Sequence, residues 1–124
     1  MKKQNKVSLE FKRPFVLFSY EVSHGLLLFR SAKSLKHATR LDVLFQDVRA
    51  LETRASLNEL LVKEIGPAES SKTFSSKPSE VMEKGHKLYI LKCKDWTGFV
   101  VGGVVSYHED NGEFFEKSAL MAAD

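Results

Sequence analysis

The chain has a single cysteine among 124 residues. Cys93 therefore cannot close an intramolecular disulfide, and with no signal-peptide pattern in the opening MKKQNKVSLE the expected compartment is the cytoplasm. No apolar run approaches the roughly 18–20 residues of a membrane-spanning helix, so no membrane is expected among the partners. There is also no Gly-rich phosphate loop, no nucleophile elbow around a serine, and no compact metal motif such as H-E-x-x-H. These absences remove the commonest sequence grounds for assigning an enzyme, and no cofactor is expected.

Charge of one sign is not in large excess either. The net value is only +3. It is unevenly spread: residues 1–40 carry nine Lys/Arg against two acids, and the remainder carries ten against fourteen. A basic first third could track phosphates. Yet the aromatics that would have to stack on bases lie mostly inside apolar runs, where a core role is expected, so nucleic acid is a secondary reading.

What is present is a set of short apolar segments of strand length. Phe15 to Phe29, FVLFSYEVSHGLLLF, is the organising one. Two apolar runs flank Ser23-His24-Gly25, a turn signal because Gly25 can take positive φ freely. Extended geometry would put Val16, Phe18, Tyr20 and Val22 on one face. Leu26 to Phe29 is apolar on both faces, which suits a strand in the middle of a sheet.

Before this hairpin, Val7, Leu9 and Phe11 alternate, predicting an edge strand that ends at Pro14, preceded by a frayed tail over 1–6. After it, Thr39 to Leu51 predicts a strand with Leu41, Val43 and Phe45 on one face and Arg40, Asp42 and Gln46 on the other. The phase slips near Gln46-Asp47, which reads as a β-bulge or bend. Over 56–65, the leucine spacing and the Ser56-x-x-Glu59 capping box slightly favour a short helix, although the β-rich context favours a strand. Residues 67–79 read as a surface loop, and 80–84 as one helical turn closed by Gly85. Lys87 to Lys94 is a strand with Tyr89, Leu91 and Cys93 on one face and Leu88 and Ile90 on the other. Val100 to Tyr107 is a further strand, with a bend at Gly102-Gly103. Asp110-Asn111-Gly112 predicts a hairpin turn, with 113–116 returning as a strand. The expected fold class is α+β, β-dominated: a single domain over 1–124, a twisted, largely antiparallel sheet of about six strands, and one or two short helices.

Two His/acid clusters stand at strand ends: Glu21 with His24, and His108 with Glu109. If they converged they could hold a divalent metal. The other reading is two solvated turn ends, with no metal. Trp96, beside the turn at Asp95, is either a cap on the core or an exposed contact anchor.

The segments SYEVSHGLLLFRSAKS, TRLDVLFQDVRALE and DWTGFVVGGVVSYHEDNGEFFE resemble a family of small bacterial proteins. Some such proteins are similar to immunity proteins of polymorphic or contact-dependent toxin systems. The resemblance covers residues 14–55 and 86–117 and carries over no residue roles. It implies a protein-binding module, not an enzyme, whose partner is another protein, a cognate bacterial toxin domain. On the charge pattern, the contact surface would be Arg40, Asp42 and Gln46 on the polar strand face, or Trp96, or the His108-Glu109-Asp110 end.

Overall fold

A computed structural model describes residues 6–74 and 78–121 of the chain. The described residues form ten strands: β1 (Ser8–Phe11), β2 (Phe15–Glu21), β3 (Leu26–Ser31), β4 (Arg40–Gln46), β5 (Ala50–Glu52), β6 (Ser56–Leu57), β7 (Leu60–Ile65), β8 (Lys87–Cys93), β9 (Trp96–Gly102) and β10 (Val104–Asp110). They form two antiparallel five-stranded sheets, one ordered β1-β7-β8-β9-β5 and the other β10-β4-β3-β2-β6. The described residues also contain one α-helix, α1 (Pro67–Thr73), and three short 3₁₀ turns.

The two sheets are joined by bent strands. β4 pairs with β10 along its length, and β5 pairs with β9 just beyond. Between these ladders, residues 47–49 face only 102–103, so one extra residue is accommodated at the corner. This is the slip expected at Gln46-Asp47. Asp47 takes φ 57° there, and Gly103 N–H and Arg49 N–H carry the main-chain bonding around the bend. The same arrangement recurs where β1 and β2 meet β7 and β6: residues 12–14 face 58–59. Read through the corners, the ten segments make six strands, and each pairs on both sides. A small barrel results.

Its interior holds Phe15, Leu27, Phe29, Leu41, Val43, Phe45, Leu60, Val62, Tyr89, Leu91 and Val100. Leu88, Ile90, Phe99 and Val101 point out of the first sheet into a second cluster, covered by Phe74 and Met82. Both faces predicted for β8 are therefore observed.

Several expectations are corrected. Residues 56–65 are β6 and β7, not a helix. The leucine pattern looked helical because β7 is apolar on both faces: Leu60 and Val62 enter the barrel, while Ile65 enters the outer cluster. The expected loop at 67–79 contains α1, opened by Gly66 and Pro67; residues 75–77 lie outside the described set, as do 1–5 of the expected frayed tail. The turn expected at 80–84 is a 3₁₀ turn at Pro78–Val81. β2 carries a bulge between Leu17 and Ser19, so Val16 and Tyr20 end on opposite faces, against Arg30 and Leu27. Residues 113–116 do not return as a strand. Asp110 Oδ1 accepts from Gly112 N–H at 2.9 Å, and the chain then crosses the outer face of the second sheet as a strap ending in a 3₁₀ turn at Ala119–Met121.

Candidate functional site

Three buried arginines organise the second sheet: Arg30 and Arg40 on its outer side, and Arg13 at the corner between β1 and β2. Arg30, on β3, forks onto Asp42 of β4 through Nε–Oδ1 at 2.8 Å and Nη2–Oδ2 at 3.1 Å. The two are cross-strand partners, and their side chains are 0% and 1% exposed. Arg30 Nη1 also donates to the Phe114 carbonyl, and Phe18 lies against the guanidinium at 4.1 Å from its ring centre. Arg40 forks onto Asp110 at 2.9 Å through both arms and donates to the carbonyls of Glu113, Glu116 and Lys117. Arg13 bonds Ser31 Oγ at 2.7 Å and the Thr39 carbonyl at 2.6 Å, tying the β1–β2 corner to the ends of β3 and β4. Arg30 and Arg40 thus fasten the strap to the sheet.

The bonds from Arg40, with a lesser one from Gly112 N–H, hold the Asp110 carboxyl down at about 2. The same contact raises Arg40 further. Burial lowers Arg13, partly offset by Glu109 at 4.0 Å.

Between the strap and the β2–β3 hairpin lies a groove of about 510 Å³. Its floor is Phe18, Leu26, Leu28 and Met121, and its rim carries Ser19, Glu21, His24, Lys117 and Ser118. The hairpin turn sets this rim. Gly25 adopts φ 61° as its sequence position predicts, and His24 Nδ1 meets Glu21 Oε1 at 2.5 Å. The volume falls within the range of sites that accept a small molecule or a partner side chain.

The residues singled out from sequence are dispersed. Arg40 and Asp42 were expected on an open polar face. That face is covered by the strap, and both charges are spent on internal pairs. Neither is presented to a partner. Gln46, beside them in sequence, is exposed. Trp96 is half-buried, packs against the barrel core, and has Arg54 over its ring at 5.7 Å, as a core cap would. Asp110 is turned to Arg40, Glu109 bonds Thr39 Oγ1, and His108 stands 3.6 Å from Asp110 on the surface.

The two His/acid clusters do not meet. His24 and Glu21 sit at the hairpin turn, and His108 pairs in register with Asp42 toward the other end of β4. Among the described residues, no group of three or more His, Cys, Asp or Glu is placed to hold a metal ion. Cys93 is half-buried, its Sγ 3.6 Å from the Trp96 carbonyl. No described helix is long and apolar enough to cross a membrane.

The groove itself was missed in the sequence. Phe18 and Leu28 were assigned to the hairpin, but nothing local shows that residues 117–121 come to lie beside them. Comparisons with protein-family models, with curated proteins and with solved structures find no match for this chain.

Proposed function

We propose that this chain is a non-enzymatic protein-binding module, and that its partner is a toxin domain which it neutralises in the cytoplasm. The observation that carries this reading is the groove: an apolar floor of Phe18, Leu26, Leu28 and Met121, ringed by Glu21, His24 and Lys117. A central apolar pocket with a charged rim is how a protein surface captures an anchor side chain and rejects wrong partners. The arginine-fastened strap forms one wall, so the pocket is held open before a partner arrives, which lowers the ordering cost of association. The resemblance of the SYEVSH and YHED segments to small bacterial proteins, some of which are similar to immunity proteins, supports the same reading, as does a fold whose buried polar side chains all bond internally among the described residues.

The test pairs the chain with a toxin domain encoded beside its gene. Co-expression is expected to restore growth of cells making that domain, and calorimetry to show a one-to-one complex. Leu26→Arg is expected to weaken the complex by at least about a hundredfold while leaving the fold intact. Failure of the chain to bind or to protect would overturn the function. A complex indifferent to Leu26→Arg would remove the groove as its seat.

A further inference from the structure

Among the described residues, β10 is the one sheet edge that is both long and unguarded. It pairs with β4 over all seven positions and with no other strand. The other edges are short. β1 has four residues followed by Lys12, Arg13 and Pro14; β5 has three, between Arg49 and Arg54; β6 has two. Brevity, positive charge and proline are common means of keeping an edge from pairing. From Val104 to Asp110 there is no lysine, arginine or proline, and no residue is buried. Val104 is 48% exposed and Tyr107 54%. The edge is also anchored at both ends. Asp110 is forked to Arg40 at one end, and Gly103 N–H bonds the Gln46 carbonyl at the other.

We propose that β10 is the interface of a symmetric dimer, in which a second copy of this chain adds its own β10 antiparallel to the first. A row of unpaired main-chain N–H and C=O groups is complemented by another extended chain. The segment 104–110, VVSYHED, is self-complementary about its middle residue. Antiparallel pairing centred there sets Tyr107 against Tyr107 of the second copy, Ser106 against His108, and Val105 against Glu109. The acidic end of each strand meets the valine end of the other, so no like charges are opposed, and an aromatic pair directly across two strands is favourable. Tyr107 already stacks edge-on with Phe11 at 5.5 Å, so the new pair extends an aromatic cluster. Two-fold pairing is the commonest closed assembly of identical chains. It joins the two β10-containing sheets into one.

Sedimentation velocity on the intact chain, from micromolar to millimolar concentration, tests this. A monomer–dimer equilibrium is expected, and amide exchange over 105–109 should slow as concentration rises. Tyr107→Lys places a charge at the two-fold axis, and Ser106→Pro alters the strand edge. Each is expected to weaken association by about tenfold or more with the far-ultraviolet spectrum unchanged. If Ser106→Pro disturbs the fold, Tyr107→Lys alone decides. A chain that stays monomeric throughout overturns the proposal. So does a dimer that Tyr107→Lys leaves intact, or protection of 105–109 that does not depend on concentration.

Discussion

Arg30 and Asp42 form an ion pair in a place water scarcely reaches. Such a pair is tolerable because each partner answers the other and the remaining donors find the Phe114 carbonyl and the Phe18 ring. Removing one partner strands the other. Asp42→Ala is expected to cost about 3–5 kcal/mol in urea unfolding, and the paired replacement Arg30→Met with Asp42→Leu much less. Asp110 has a different signature, because its carboxyl is held at about 2 against an ordinary 3.8. The folded state binds the proton later than the unfolded chain. The Asp110 contribution is therefore complete above 3.8 and disappears as pH falls through 2. Solvent at the rim screens it to about 1 kcal/mol. Asp110→Asn should flatten that part of the acid limb in a pH series of melting curves. Asp47 is lowered in the same direction, chiefly by its bond from His86 Nε2. At this scale the sequence misled in one respect: Arg40 and Asp42 alternate with buried residues as surface charges do, and nothing local distinguishes a solvated arginine from one roofed by a strap seventy residues on.

The elements divide by how local their causes are. The β2–β3 hairpin was legible because its turn is decided by one residue. Gly25 sits at φ 61°, and a side chain there would meet Val48 N at 2.7 Å. Gly25→Ala is expected to destabilise the protein by about 1–3 kcal/mol in denaturant titration, from backbone strain and lost fit together. The face assignments of β8 were also legible, since alternation suffices once the strand is granted. β7 was ambiguous because a strand covered on both sides loses its alternation. The strap was misread. Asp110-Asn111-Gly112 has hairpin chemistry, but Arg40 claims the carbonyls of 113, 116 and 117 that a returning strand would need. Gly112 packs so closely on Arg40 that a Cβ would collide with the guanidinium, which is itself locked in place. Gly112→Ala is expected to loosen the strap, seen as faster amide exchange over 113–121 while β3 and β4 stay protected.

In the whole molecule, the two sheets cannot part without breaking strands that belong to both. β4–β5 and β9–β10 turn one corner together, and β1–β2 and β6–β7 turn the other. Unfolding should therefore be one cooperative event, with calorimetric and van't Hoff enthalpies equal and fluorescence and circular dichroism transitions coincident. Separate transitions for the two sheets would contradict the shared corners. The proposed groove belongs to this scale too, because its floor joins Phe18, Leu26 and Leu28 of one hairpin to Met121 from the far end of the chain.

Amino-acid order alone settled what depends on near neighbours: strand periodicity, the Gly25 turn, the slip at Gln46-Asp47, and a β-dominated class. These follow from sterics and from the two-residue repeat of an extended backbone. Tertiary structure decided the rest: which charges are buried, that β6–β7 is extended, where the strap lies, and which edge stays unpaired. Those outcomes rest on contacts between segments far apart in sequence. The energy of burying a charge or a leucine is set by what covers it, and the covering residues are not its neighbours in the chain.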